Sequence, residues 1–291
     1  MYTKLLVRAR VILGERNPST LSITCLLATT YRQLGKYSDA EVLFKQCLDM
    51  MKGLIGEESP DNLTAMEGLA LTYKHQGKFT DAEVLFKQCL AKTRILYGES
   101  HLSTICAMGN LAGNYDEQAR FSESEALYKQ CLDMLRVTLG ENHPSTLTTI
   151  YNLALSYARQ QEYSESEALY KQCIDMRKAV LGENHPDTLS AMNNLAGVYD
   201  RQGKFSDAEV LLKKCLAKEQ IVIGEGHPYT LLTMNHLAAT YHHQGKFSDA
   251  EVLWKQCLDK QKVALGESHP DTLTTMNNLA LNCFYSSVYE A

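Results

Sequence analysis

Nine cysteines and nine histidines are the residues of this 291-residue chain best suited to metal or nucleophile chemistry. Six of the cysteines recur at intervals of 42 residues, at Cys47, Cys89, Cys131, Cys173, Cys215 and Cys257. Neighbouring copies on packed helices would lie roughly 10 Å apart, which is too far for a disulfide or a shared metal ion. Because cysteine is also a small apolar residue, we interpret these six as buried packing residues.

The histidines are also regularly spaced. His143, His185, His227 and His269 each precede a proline, and His101 occupies the same place before Leu102. Proline favours the first turn of a helix, so we expect these histidines to cap helices or to pack in linkers. His236 and His243 are seven residues apart, about 10 Å along a helix, which is too far for one metal ion. No phosphate loop, nucleophile elbow or catalytic carboxylate pair occurs, so we predict no enzyme, catalytic residue, metal or cofactor.

Asparagines form the third recurrent group, and they often stand in pairs, as in "MNNLAGVY" at 192–199. The first position of the pair is Asn193, Asn235 or Asn277, and the second is Asn110, Asn152, Asn194 or Asn278, with His236 as one exception. A side-chain amide has donors and an acceptor, so a row of them could pair with the main chain of an extended peptide. The alternative is that each amide bonds a neighbouring helix, because buried amides need partners. The two roles are compatible.

The composition, with 45% hydrophobic and 22% charged residues, is typical of a globular protein. The net charge of −5 indicates no basic surface for nucleic acid. No apolar run approaches the roughly 20 residues that a membrane helix needs, and arginines interrupt the apolar N-terminal stretch, which argues against a secretory signal. An odd number of cysteines without an export signal favours a reducing compartment. We predict a cytoplasmic protein without nucleic-acid or membrane partners.

An internal repeat explains this regularity. The dipeptide Gly-Glu begins at Gly14 and returns every 42 residues as far as Gly266. Each unit contains two predicted helices. In the fifth, Pro186 begins the first helix and Gly203 ends it as a left-handed cap. The second helix is predicted to open with a capping box at Ser206–Glu209. The same box is expected at Ser38–Glu41, Thr80–Glu83, Ser122–Glu125, Ser164–Glu167 and Ser248–Glu251.

These intervals predict a single repeat domain, 1–291. It comprises a partial second helix at 1–13, six full repeats and a degenerate partial repeat at 266–291; the full repeats are 14–55, 56–97, 98–139, 140–181, 182–223 and 224–265. Neither end has the polar character of a capping repeat, so we expect a piece of a longer array with uncapped ends that could self-associate.

The repeat resembles the tetratricopeptide repeat, in which small and large residues alternate on a helix hairpin. In the fifth unit these residues are Leu195, Ala196, Tyr199, Ala208, Leu212 and Cys215. The 42-residue period, the linker "GENHPDTL" and the pattern "NNLA…Y…QGKFSDAE" make it similar to the kinesin-light-chain type. The resemblance implies an all-α, right-handed superhelical solenoid of antiparallel helix hairpins. Ala119 and Gln161 depart from the pattern, because they replace the glycine between the two helices.

The resemblance also implies a function. In that family the first helices line a concave groove, and the second asparagine of the pair contacts bound peptide. We therefore expect a non-catalytic adaptor or scaffold that binds a protein or an extended peptide. The expected groove residues are Asn110, Asn152, Asn193, Asn194, Asn235, His236, Asn277, Asn278, Arg159 and Arg201, and the two arginines would favour acidic segments if they face inward. The alternatives are a self-associating structural scaffold, and a sensor array of a larger protein whose enzyme or nucleotide-switch domain is missing.

Overall fold

The computed structural model describes residues 2–52 and 59–289, and within these ranges every regular element is an α-helix. The predicted all-α class is therefore confirmed. The helices are α1 (Tyr2–Leu13), α2 (Pro18–Gln33), α3 (Tyr37–Lys52), α4 (Pro60–His75), α5 (Phe79–Tyr97), α6 (Leu102–Glu117), α7 (Phe121–Thr138), α8 (Pro144–Arg159), α9 (Tyr163–Leu181), α10 (Pro186–Arg201), α11 (Phe205–Val222), α12 (Pro228–His243), α13 (Phe247–Ala264) and α14 (Pro270–Tyr289).

The chain forms two compact units, 1–141 and 142–291. Within each unit every helix packs against the next one along the chain. Connections such as 202–204, between α10 and α11, are too short for anything but an antiparallel hairpin. In the second unit the first helices of consecutive hairpins, α8, α10, α12 and α14, also contact one another. The hairpin architecture is thus confirmed, while the assignment of the whole chain to one domain with the boundaries given above stays a prediction.

The six repeated cysteines lie in the cores, as predicted, and all are free thiols. Cys173 and Cys215 have no exposed surface. The Sγ atom of Cys173 lies 3.5 Å from the carbonyl oxygen of Leu147 on the first helix of its hairpin, a weak S–H···O contact. Burial raises the pKa of the Cys215 thiol to about 12. These thiols are therefore protonated packing groups and not nucleophiles.

Linker histidines begin the first helices, as predicted. In His185 and His227 the Nδ1 atom accepts a hydrogen bond from the backbone N–H two residues later, at 3.2 and 3.3 Å. His101, His143 and His269 do the same at their helices. These imidazoles replace the more usual Ser or Asp N-cap, and the proline that follows most of them has no N–H to satisfy.

The predicted capping boxes are wrong. α11 begins at Phe205, so its N-cap is Lys204, which makes no side-chain capping bond, and Ser206 lies inside the first turn. Glu209 instead forms ion pairs with Lys213 at 2.6 Å and with Lys246 of the next hairpin at 2.8 Å. Lys78, Arg120, Glu162 and Lys246 are likewise N-caps without a side-chain bond. The glutamate that suggested a local cap thus connects neighbouring hairpins.

The turns inside the hairpins need a left-handed residue. Gly203 has φ of 76°, and the N–H of Lys204 bonds the carbonyl of Tyr199 across it at 2.9 Å, which confirms the predicted cap. Ala119 and Gln161 adopt the same conformation, with φ of 57° and 64°, although they have side chains. The turn geometry is therefore imposed by the packing of the hairpins, at a conformational cost where glycine is absent.

Candidate functional site

The asparagine positions form hydrogen bonds between the first helices of consecutive hairpins. The bonded residues are 43 apart in every case. The first partner occupies the first asparagine position of one repeat, and the second partner occupies the second asparagine position of the next. The four pairs are Glu67 with Asn110, Tyr151 with Asn194, Asn193 with His236, and Asn235 with Asn278. The sequence alternative, in which these amides bond a neighbouring helix, is therefore found in the structure.

A second contact connects these positions to the large residue of a second helix. The two N–H groups of the Asn194 amide donate to the hydroxyls of Tyr151 at 2.7 Å and Tyr170 at 3.2 Å. Two repeats after Tyr170, the indole N–H of Trp254 donates to Oδ1 of Asn235, on the first helix of its own hairpin, at 2.6 Å. Burial raises the pKa of Tyr170, so its hydroxyl keeps its proton. The amides thus satisfy aromatic side chains whose polar ends reach the first helices.

The other predicted groove residues are not members of the four hydrogen-bonded pairs described above. Asn152 is half-buried on α8, and Asn277 is exposed on α14. Arg159 and Arg201 are exposed in the last turns of α8 and α10. The structure therefore brings Asn193, Asn194 and His236 together and leaves the two arginines at the ends of their helices.

The second unit contains a cavity of about 200 Å³ at Asn193 and Asn194. Three first helices and one second helix enclose it. Its apolar walls are Pro186, Leu189, Ile223, Tyr229 and Leu232, and its polar lining is Tyr151, Ser190, Asn193, Asn194, Glu219 and Thr233. Tyr229 and Leu232 are 56% and 43% exposed, so the cavity reaches the surface at their side chains.

Glu219 is the ionisable group with the most unusual environment in this cavity. Glu219 is only 3% exposed, and burial raises the pKa of its carboxyl group to about 7. The nearby hydroxyl of Thr233 opposes part of this rise in the pKa. Within the described residues the Oε2 atom of Glu219 has no hydrogen-bond partner. A buried carboxylate oxygen of this kind is costly to desolvate, and such sites are frequently functional.

A chain of hydrogen-bonded polar side chains lines the cavity beside this carboxyl group. The Asn193 amide donates to Oγ1 of Thr233 at 2.5 Å. His236 Nδ1 lies 2.6 Å from Oδ1 of Asn193 and is the donor, because a carbonyl oxygen only accepts. Burial lowers the pKa of His236, so the imidazole is neutral. The orientation of Asn193 is thus fixed from both ends.

The first unit has a cavity at the same register, three repeats earlier. Its volume is about 380 Å³, and its walls include Pro60, Leu63 and Phe86. The residue equivalent to Glu219 is Thr93, whose hydroxyl donates to the carbonyl of Leu90 at 3.0 Å. The acid of this cavity is Glu67, at the position of Asn193, and its carboxylate accepts from Asn110. The repeat therefore generates the cavity, and individual residues decide its chemistry.

Sequence reasoning missed Glu219, Thr233, Tyr151 and Tyr229. A signal for Glu219 was available, because its position changes at every repeat whereas Cys215, one helical turn earlier, recurs. Successive copies are Met51, Thr93, Leu135, Arg177, Glu219 and Gln261, and the structure buries all six. The repeats therefore differ in the chemistry of their interior at this position.

The described ranges 2–52 and 59–289 lack two other kinds of site. No three His, Cys, Asp or Glu side chains there are grouped so that they could hold a metal ion. None of the helices described is long and apolar enough to span a membrane.

Comparison with known proteins identifies the repeat. Family models described as "Tetratricopeptide repeat" match residues 1–53, 61–136, 122–179 and 145–218, and a second such model matches 230–271. The comparison with curated proteins found no match.

Solved structures with the same fold include kinesin-light-chain-like proteins. One is a Podosopora anserina kinesin light chain candidate with nearly identical TPR-like repeats, at 26% identity and a TM-score of 0.61, covering 72% of this chain and 99% of its own. Another is BtubC (BKLC) from P. vanneervenii, at 20% identity and a TM-score of 0.65, covering 79% and 92%. A Rap protein complexed with Competence and Sporulation Factor has 12% identity and a TM-score of 0.58, covering 98% and 84%. At or below 20% identity the likeness shows the fold alone, and it confirms the predicted helical solenoid.

Proposed function

This chain belongs to the tetratricopeptide repeat family, of the kinesin-light-chain type, and we propose that it binds an extended peptide segment of a partner protein along its first helices. Family membership and the fold indicate a protein-binding repeat scaffold. The cavity beside Asn193 and Asn194 is the observation on which the peptide proposal rests. It joins apolar walls, polar groups and an opening to the surface, the combination that ligand sites in proteins share.

The internal hydrogen bonds of the asparagines are compatible with this role. Asn194 remains half-buried while it donates to two tyrosines, and it also lines the cavity. Amides that are held by neighbouring hairpins lose little conformational entropy when a ligand binds, which favours affinity. Exposed Arg159 and Arg201 support the further proposal that acidic segments of the peptide lie near the ends of α8 and α10.

Binding is proposed to proceed without catalysis. The Cys215 thiol, one helical turn before Glu219 on α11, is held in its protonated form, as its raised pKa indicates. The nine cysteines are all free, which supports the proposal of a reducing, cytoplasmic location.

A display selection tests the proposal. Random 12-residue peptides are selected on the intact chain, and a selected peptide is titrated by fluorescence anisotropy. Leu232→Arg adds bulk and charge at the rim of the cavity and should weaken binding at least tenfold. Val210→Arg is the matched control, because Val210 is 70% exposed on α11 and does not line the cavity. Failure to select any peptide, or equal affinities of the two variants, would contradict binding at this site.

A second candidate function, self-association, is favoured by one observation. α1 exposes Val11 and Ile12 at 82% and 76%, and α14 exposes Phe284 and Val288 at 63% and 56%. Exposed apolar faces of this kind commonly mark interaction surfaces. Sedimentation velocity over a hundredfold range of concentration tests it, and Phe284→Ser should shift the chain toward monomer. A monomer at every concentration would reject this candidate.

A further inference from the structure

We propose that the cavity between α8, α10, α11 and α12 receives the cationic side chain of an arginine or lysine in the bound peptide, and that Glu219 pairs with it. This inference rests on the proposed peptide-binding function and specifies the chemistry of the anchor. It goes beyond the sequence expectation, which considered only acidic peptide segments.

The repeat itself does not need a carboxyl group at position 219. The equivalent positions in other hairpins hold Met51, Thr93, Leu135 and Gln261, and each of these residues is buried. A neutral side chain therefore fits the same place in the hairpin. Burying the ionisable group of Glu219 costs free energy, although the fold does not require a carboxyl group there. Buried groups that are unfavourable for folding are expected at sites where a protein binds a ligand.

One oxygen of Glu219 is available for a ligand. Thr233, which is held by the Asn193 amide, lines the cavity together with Glu219. The Oε2 atom of Glu219 has no hydrogen-bond partner in the described part of the chain. A buried carboxyl group with an unpartnered oxygen in a cavity is suited to accept a charged N–H donor.

The neighbouring cations of the chain are engaged elsewhere. Lys218, next to Glu219 on α11, pairs with Glu183 at 2.8 Å and bonds Asn184 at 3.0 Å. Arg177, the equivalent of Glu219 one repeat earlier, donates to the carbonyl of Asp187 at 2.6 Å and lies 4.9 Å from the ring centre of Tyr151. Both groups are committed, and no lysine or arginine among the described residues lines the cavity, so a positive charge opposite Glu219 would be supplied by a ligand.

The walls of the cavity suit the rest of such a side chain. The volume of about 200 Å³ equals roughly seven water molecules at about 30 Å³ each, which is room for one long side chain. Leu189, Ile223 and Leu232 provide apolar contacts for its methylene groups. Tyr151 and Tyr229 line the same space, and aromatic faces attract ammonium and guanidinium groups. The equivalent cavity of the first unit has Thr93 at this position, and its own acid, Glu67, already accepts a hydrogen bond from Asn110.

The test uses the peptide selected by display on the intact wild-type chain. We expect selected sequences to share one Arg or Lys position. The probes are one selected peptide, its variant with the anchor Arg replaced by citrulline, which keeps the shape without the charge, and its variant with norleucine. Affinities are measured for wild type, Glu219→Gln and Glu219→Thr, with Glu251→Gln on the surface of α13 as a control. Thermal melts establish that each variant is folded.

Removing the charge from either partner should weaken binding about 10- to 30-fold, and removing it from both should cost little more than removing it from one. The control variant should bind like wild type. If peptides are selected without a shared basic position, or if citrulline and Glu219→Gln leave the affinity unchanged, the cationic anchor is wrong while peptide binding stands. If no peptide is selected at all, the proposed function fails, and this inference with it. Should Glu219→Gln not fold, Glu219→Thr and the citrulline peptide on wild type decide the question.

Discussion

Asn194 donates to the hydroxyl of Tyr170, which lies 24 residues earlier on the preceding second helix, at 3.2 Å. Gly68 and Phe44 occupy the same two positions of an earlier repeat, and a Cβ atom on Gly68 would overlap Cζ of Phe44. The residue at the second asparagine position is thus matched to the large residue that it faces. In these two repeats the amide stands where the ring ends in a hydroxyl, and glycine stands where the phenyl ring fills the space.

Replacing Asn194 by alanine should lower the free energy of unfolding by about 1–3 kcal/mol, because the hydroxyls of Tyr151 and Tyr170 both lose their donor. Urea unfolding followed by circular dichroism measures the change. Asn277→Ala is the control, since Asn277 is exposed on α14, and it should stay within about 0.5 kcal/mol of wild type. Equal stability of the two variants would contradict the structural role of the amide.

Glu219 should make the stability of the chain depend on pH. Its pKa is about 7 in the folded state and about 4.3 in an unfolded chain, so between these values the folded state holds the proton more tightly. Its contribution to stability is therefore present below about pH 4.3 and is lost as the pH rises through 7.

Glu219→Gln should consequently be more stable than wild type by about 3–4 kcal/mol at pH 8 and should differ little at pH 4. Gln261, buried at the same position of the next repeat, indicates that the substitution is tolerated. Unfolding curves of both proteins from pH 4 to 8 test this, and a constant difference across that range would refute it.

Gln161→Gly should stabilise the chain by about 0.5–1 kcal/mol. Gln161 has φ of 64°, a conformation that costs residues with a side chain about 1–2 kcal/mol, partly offset by the greater freedom of glycine when unfolded. Gln160→Gly at the preceding C-cap, where φ is −77°, should instead be neutral or destabilising. Chemical denaturation distinguishes the two, and a stabilising effect of both would show that strain at Gln161 is not the cause.

The ion pairs of Glu167 should be lost in acid. Glu167 pairs with Lys171 at 2.6 Å and with Lys204 of the next hairpin at 2.8 Å, and these bonds lower the pKa of its carboxyl group to about 2. Because the folded pKa is depressed, the stabilisation is present above about pH 4.3 and disappears as the pH falls toward 2.

At pH 7 Glu167→Gln should cost about 1 kcal/mol, more than an isolated surface pair, because the residue joins two hairpins. Glu251→Gln is the comparison, since the only pair found for Glu251 among the described residues is with Lys255. Its cost should be smaller, and the difference between the two variants should vanish near pH 2. A larger cost for Glu251→Gln would contradict this account.

The sequence by itself determined the repeat, the helix class and the hairpins. The 42-residue period of Gly-Glu, the prolines after the linker histidines and the left-handed glycines are local signals, and each acts within a few residues of the chain. The burial of the six cysteines followed from their period as well. The prediction of capping boxes was wrong because a glutamate such as Glu209 pairs with two lysines instead. One of these lysines, Lys246, lies 37 residues away.

Only the tertiary structure decided which side chains meet across hairpins. The hydrogen bonds of Asn194 to Tyr151 and Tyr170 connect residues that are 43 and 24 apart in the sequence, and no local sequence pattern predicts such a pairing. The desolvation of Glu219 has the same origin. An ionisable residue on a helix is normally solvated, and it becomes a buried acid here because α10, α11 and α12 close around it. The repeat period predicts the position of a residue within its helix, whereas its burial and its hydrogen-bond partners depend on residues that are distant in the chain.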